Sequence, residues 1–168
     1  MAARDVLKNL NVFVNGIGYA GQVEDYTPPK LVLKTEEFKG GGMFAPLELT
    51  MGMEKLDCEF TLICQDATVI GDFGVVEGNQ LPFTIRGHLE SFDGTTTGLV
   101  QNITGKFLEI DRGTWKAGEK AFLKCKVAIS YFKETRGALV IYEIDVENMI
   151  YIVNGVDLLA GVRANLGM

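Results

Sequence analysis

Alternation of apolar and polar residues dominates this chain. From Lys55 to Cys64, the residues Leu56, Cys58, Phe60, Leu62 and Cys64 share one face, with Lys55, Asp57, Glu59 and Thr61 on the other. A period of two marks a strand with one buried side. Leu47–Met53 and Phe83–Glu90 alternate in the same way. From Ala121 onward Leu123, Cys125, Val127, Ile129 and Tyr131 form the apolar set, with Lys124 and Lys126 opposite. Val140, Tyr142, Ile144 and Val146 then alternate with Ile141, Glu143, Asp145 and Glu147. Val100–Ile110 predicts a less regular strand and Met149–Val153 a continuous apolar one. Half-exposed strands of this kind belong to antiparallel sheets, so the pattern predicts a mainly β barrel or sandwich.

Two stretches depart from the period of two. Asp66 to Phe73 predicts a short peripheral helix, with Asp66 as its N-cap, Val69 and Phe73 four apart, and Gly74 just past the end. At the C-terminus Leu158, Leu159, Val162 and Leu166 fall on one helical face, which predicts a helical segment over 155–167. Asn154 is its expected cap, with Asp157 near the positive end, Arg163 near the negative end and Gly167 following. No linker or low-complexity run interrupts the chain, so residues 1–168 read as one domain.

Composition narrows the chemistry. Glycine is 20 of 168 residues, about 12% against the usual ~7%, as many turns between short strands require. Sixteen basic and 22 acidic residues give a net charge of −6, the wrong sign for a protein that clamps nucleic-acid phosphates. Met1-Ala2-Ala3-Arg4-Asp5 has no apolar signal-peptide core, which predicts synthesis in the cytoplasm. Three cysteines, Cys58, Cys64 and Cys125, then read as reduced, apolar thiols. They do not show the paired spacing of a zinc site, and the single histidine, His88, lies on the polar face of its strand. Gly16-Ile17-Gly18-Tyr19-Ala20-Gly21 matches a dinucleotide-binding fingerprint. That motif works only at a helix start, and Pro28-Pro29 follows too soon for a helix to form. Asn15-Gly16 reads instead as a hairpin turn. The expectation is a protein with no catalytic, cofactor or metal site.

Gly40-Gly41-Gly42 joins two strand-like runs, Leu31–Lys39 and Pro46–Met53. A plain hairpin closes with two residues. Three glycines followed by Met43-Phe44-Ala45-Pro46 make a tip that carries exposed apolar groups, and a subunit that plugs them into a neighbour has a use for them.

With these features in view, the chain resembles the major tail tube proteins of contractile phage tails of the P2 type and of R-type pyocins. The resemblance is carried by Leu7-Lys8-Asn9-Leu10-Asn11-Val12-Phe13, by Pro29-Lys30-Leu31, and by Glu36-Glu37-Phe38-Lys39-Gly40-Gly41-Gly42-Met43 leading into Pro46. Asn154-Gly155-Val156-Asp157, Leu159-Ala160 and Leu166-Gly167 complete it. It implies a β-barrel or sandwich subunit that forms hexameric rings stacked into a hollow tube, which a contracting sheath drives through a bacterial envelope. The channel then passes DNA in a phage or ions in a pyocin. Gly40, Gly41, Gly42, Met43, Phe44 and Pro46 become the expected ring-to-ring contact. Lys34, Glu36, Glu48 and Thr50 become the expected lumen residues, with Leu47, Leu49 and Met51 packing inward on the subunit. Glu24, Asp25 and Asp157 are the carboxylates expected to face a basic patch on the sheath. The implied partners are further copies of the chain, the sheath, the baseplate hub, the tail terminator, a tape-measure protein during assembly, and DNA as passing cargo. The implied location is the bacterial cytoplasm during assembly and then the inner tube of a virion tail or pyocin. A type VI secretion tube of the same ring architecture is the alternative within this class, and a soluble β-barrel carrier the alternative outside it. The acidic faces at Glu143, Asp145 and Glu147 speak against the carrier.

Overall fold

Two long strands organise the molecule, seen in a computed structural model that describes residues 3–74 and 76–168. Met1 and Ala2, at the start of the N-terminal segment read above, lie outside the described residues. The chain runs β1 (Val6–Val14), β2 (Ile17–Gly18), β3 (Val23–Thr27), β4 (Leu33–Phe38), β5 (Leu47–Met53), β6 (Leu56–Leu62), α1 (Ala67–Gly71) and β7 (Leu81–Glu90). There follow β8 (Thr96–Asp111), β9 (Leu123–Arg136), β10 (Leu139–Asp145), β11 (Ile150–Val153), β12 (Val156–Asp157) and α2 (Ala160–Leu166). Every strand pairing is antiparallel, and the order β12-β11-β10-β9-β8-β7-β1-β2 forms one sheet. β6 joins the first half of β9 on its other side and carries β3 beyond it. The expected mainly β, antiparallel architecture with two short helices is therefore the one observed.

Bulges bend β8 and β9 so that both pass through two layers. Thr104 faces Tyr131 and Gly105 faces Ile129, leaving Ser130 as an extra residue on β9. An extra residue flips the side-chain phase and sharpens the twist. Leu123, Cys125, Val127 and Ile129 therefore point inward ahead of the bulge, and Phe132 points inward after it. The sequence expectation for Tyr131 is overturned for this reason. Its ring lies on the outer face, and its hydroxyl donates to Glu143 at 2.9 Å. A second bulge, on β8, leaves Leu108 without a partner and exposed. The slip at Leu108 breaks the alternation within Val100–Ile110, which is regular from Gln101 to Phe107.

The core closes where the layers face one another. Phe60 of β6, Phe83 of β7 and Phe107 of β8 form a triangle with ring centroids 5.3–6.2 Å apart, and Phe83 meets Phe107 edge to face. That geometry suits the ring quadrupoles. Val12, Leu62, Leu123 and Val127 are fully buried around them. At one end the seal is polar: the Tyr26 hydroxyl donates to Gln101 at 2.6 Å, and the Gln101 amide donates to Glu134 at 2.8 Å. Burial raises the pKa of the Tyr26 hydroxyl well above its ordinary value.

Local signals set the turns and helix ends. Asn15 and Gly16 take φ of 48° and 84°, the left-handed pair that closes a two-residue hairpin between Val14 and Ile17. Asp66 caps α1 as expected, its carboxylate accepting from Thr68 and Val69 at 2.8 and 3.1 Å. Those amide hydrogen bonds hold the Asp66 carboxyl below the usual range. Asn154 does not cap a helix. With Gly155 it takes φ of 49° and 82° and turns β11 into β12, the same Asn-Gly chemistry as Asn15-Gly16. The C-terminal helix therefore starts at Ala160, five residues after the expected 155, and its N-cap Leu159 has no side-chain cap.

Candidate functional site

The β4–β5 hairpin stands as a two-stranded sheet of its own, joined to the rest only by chain and by its base. Phe38 pairs with Leu47, Glu36 with Leu49, Glu37 with Glu48, and Thr35 with Thr50. Directly opposed residues share a face. One face thus carries Lys34, Glu36, Phe38, Leu47 and Leu49, and the other Thr35, Glu37, Glu48 and Thr50. The four expected lumen residues split two and two between these faces: Glu48 and Thr50 stay together, and Lys34 and Glu36 turn the other way. Register, which the weak alternation of β4 hid, is the physical reason. A slip opposite Lys34–Thr35 leaves Met51 unpaired, beside Gly52 at φ 127°.

The apolar side of the hairpin is not packed on its own subunit, contrary to expectation. Leu47, Leu49 and Met51 retain 57%, 47% and 58% of their exposure, and Phe38 retains 51%. A folded subunit that keeps such a strand pair in water has left its burial to another molecule.

At the tip the seven residues from Gly40 to Pro46 do not act alike. Gly42 takes φ 86°, where a side chain would be strained. Gly41 and Gly42 have open space around them, whereas Gly40 sits beside the Phe38 ring. Met43 curls back, its sulfur 3.2 Å from the Gly40 amide, and is half-buried. The expectation that Met43 and Phe44 both project is therefore corrected. Phe44 alone stands fully exposed, flanked by exposed Ala45 and Pro46.

Below the hairpin lies an apolar cleft of ≈ 630 Å³, walled by Leu33 and Met53 of the hairpin base, Ile144 near the end of β10 and Val146 just after it, and Leu158 and Leu159 before α2. Its C-terminal wall is pinned electrostatically. Asp157 pairs with the Arg163 guanidinium and accepts from the Leu159 amide at 3.0 Å, while Arg163 donates to the Met149 carbonyl at 2.8 Å. Arg163 holds the Asp157 carboxyl below its usual range. Both Asp157 oxygens are thus engaged within the chain, which removes it from the free outer carboxylates expected for the sheath.

Glu24 and Asp25 are exposed on β3, with a register slip at Glu24. Asp25 lies opposite Thr61 on the outer face of a charged strip. There Glu59 bridges Lys124 at 3.1 Å and Lys126 at 3.3 Å, and Asp57 reaches Lys126 at 3.5 Å. The two lysines hold the Glu59 carboxyl below its usual range.

Cys58 and Cys125 are buried and their thiols are pushed up to about 12 by desolvation, so they remain protonated and inert. The Cys64 thiol donates to Gln22 at 2.8 Å. His88 is exposed on β7. Among the described residues no group of three His, Cys, Asp or Glu side chains is placed to hold a metal.

The hairpin thus stands apart with two contrasting faces, an exposed aromatic tip and a cleft at its base. The model of the phage tail tube protein FII family matches residues 4–167. The chain belongs to that family. It is 36% identical over 172 residues to the tail tube protein of Escherichia phage P2, with the whole of both chains covered. It is also 27% identical over 159 residues to the major tail tube protein of Serratia phage KSP20, covering 90% of this chain and 88% of that one. Among solved structures, its fold matches a chain of the PVC extracellular contractile injection system, seen as a sheath–tube complex in the extended state. That match has a TM-score of 0.58 at 10% identity and covers 76% of this chain and 88% of the other. This tail tube protein is a structural subunit of a contractile tail, a building block of the particle. Sequence reasoning located the hairpin through its glycines. It missed the cleft, whose walls come from segments as far apart in sequence as Leu33 and Leu159.

Proposed function

We propose that this tail tube protein assembles as hexameric rings stacked into a hollow tube, which sheath contraction drives through a bacterial envelope. The observation that carries the reading is the β4–β5 hairpin, with one half-apolar face and one polar face and no packing on its own subunit. Neighbouring hairpins that join edge to edge remove the free edges of β4 and β5, 6 and 7 residues long, and packing of the joined sheet on adjacent subunits covers Phe38, Leu47 and Leu49. The opposite face then presents Glu37, Glu48, Thr35 and Thr50 to the lumen. Glu48 and Thr50 are retained from the sequence reading, and Lys34 and Glu36 move to the wall side. An acidic wall repels DNA phosphates, so a genome slides through without sticking. Both curated relatives are phage proteins, which favours DNA as the cargo over pyocin-type ion passage.

Gly40–Pro46 makes the contact between successive rings, with Phe44 as its apolar group, worth on the order of 1.5–3 kcal/mol if fully buried. Glu24 and Asp25 face the sheath through charge pairs that are individually weak, ~0–1 kcal/mol, but repeat at every subunit. Such a contact holds the sheath before firing and releases it on contraction. The tube ends meet the baseplate hub and the terminator, and a tape-measure protein occupies the lumen during assembly in the cytoplasm. The barrel interior is filled by Phe60, Phe83 and Phe107, which speaks against a carrier with its pocket inside the barrel.

Electron microscopy of the purified protein tests this directly. Six-fold rings and tubes are expected, and a Met43→Ser/Phe44→Ser double variant should stay folded yet form no tubes. A compact monomer at high concentration, or normal tubes from the double variant, would refute the reading.

A further inference from the structure

We propose that the apolar cleft at the hairpin base receives Phe44 from the hairpin tip of a second copy of this chain. The inference rests on the reading that the tip joins successive rings, and it names the receptor for that tip.

The tip cannot reach its own cleft. Leu33 lines the cleft and Phe38 ends the strand, so five residues of extended chain, about 17 Å, separate the two. The loop extends farther still. An aromatic side chain fully exposed on a formed hairpin therefore finds burial only in another molecule. The cleft offers what that ring lacks: Val146 and Leu158 are exposed apolar side chains on its wall, and ≈ 630 Å³ accommodates the ring together with Ala45 and Pro46. Its rim carries Glu54, Asp57 and Asp145; Asp57 is paired with Lys55 and Lys126, which leaves the rim acidic through Glu54 and Asp145. The tip segment, residues 39–46, carries one charge, that of Lys39. Acidic rim and basic tip are complementary. Donor and receptor are also different surfaces of the same chain, so the contact is head-to-tail. Repeated without closing, it generates an open stack rather than a closed pair.

Three variants separate the two surfaces: Phe44→Ser removes the donor, and Leu158→Arg and Val146→Arg each charge the receptor at an exposed position. Folding is checked by circular dichroism and assembly by analytical ultracentrifugation and electron microscopy. Each variant alone should remain folded and stop at single rings. Mixing Phe44→Ser assemblies, whose clefts are intact, with either Arg variant, whose tips are intact, should form one junction and double the sedimenting mass without making tubes. Normal tubes from both Arg variants alongside failure of Phe44→Ser would overturn the cleft as receptor and leave the tip reading standing. Normal tubes from Phe44→Ser would overturn the tip reading and this inference with it. Arg variants that fail alone but show no doubling in the mixture would also overturn the cleft.

Discussion

Gly105→Ala is expected to destabilise the folded subunit by about 3 kcal/mol. A methyl group at this position would stand 2.1 Å from the Ala128 carbonyl oxygen and 3.0 Å from a Val127 methyl, where real contacts essentially never fall below 3.0 Å. The carbonyl belongs to the backbone of β9 and has no rotamer to change, so the strands must part next to the Ser130 bulge. Overpacking of this kind costs about 1–3 kcal/mol, and a ladder hydrogen bond lost to the separation adds about 1 kcal/mol. For a chain of this size each kcal/mol lowers Tm by about 2–4 °C, so a fall of about 6–12 °C is expected. The measurement belongs on a Phe44→Ser background, because polymerisation would itself stabilise the fold. Gly98→Ala on the same strand is the control: a Cβ there meets nothing within 4 Å and φ is not positive, so the change should be near neutral. If Gly105→Ala shifts Tm no more than Gly98→Ala does, β8 and β9 do not approach as described, and the shared-strand architecture is wrong.

Acid should loosen the C-terminal segment. The Asp157 carboxyl titrates below its ordinary value because of Arg163, so its stabilisation is complete above about pH 4 and is lost as pH falls through the lowered folded value. Asp157→Asn should raise amide exchange over residues 157–167 at neutral pH and blunt the acid response; unchanged protection would show that the pair does not anchor α2. A thiol-reactive probe at pH 8 should leave Cys58 and Cys125 unmodified in the folded subunit and label only Cys64, slowly, while all three react in denaturant; rapid labelling of three thiols in the native protein would contradict their burial. Sheath attachment, if carried by Glu24 and Asp25, should weaken as salt shortens the Debye length from about 8 Å. A Glu24→Lys/Asp25→Lys variant should release extended sheaths at physiological salt, and attachment unaffected by either change would point to buried apolar contacts instead.

The strands of the barrel were legible because one face of each is buried, as Leu56–Leu62 and Leu123–Ile129 show. Alternation carries no information about extra residues, and so Ser130 and Leu108 shifted the phase of β9 and β8 unseen. Asn-Gly was read correctly at Asn15-Gly16 but mistaken for a helix cap at Asn154-Gly155, where a following apolar spacing of three and four resembled a helix already begun. The hairpin announced itself through glycine and through exposed apolar groups. Its facing could not be read, because register is a property of the pair β4–β5 and not of either strand. The Met43 fold-back is likewise a contact within the tip, and the Asp157–Arg163 pair depends on a turn the pattern did not contain.

The shared strands have a mechanical consequence. β9 is hydrogen-bonded on both sides through both layers, to β6 and β8 in its first half and to β8 and β10 in its second. The layers therefore cannot hinge or slide independently, since any such motion would shear ladders along one continuous strand. A thrust delivered to one edge of the subunit is transmitted across it as through a braced panel, with elastic give left to the β4–β5 hairpin and the C-terminal segment. In a column of such subunits the stiffness resides in the blocks and the compliance at the joints. Bending or twisting of the column is thus decided by the few residues at each joint rather than by the core.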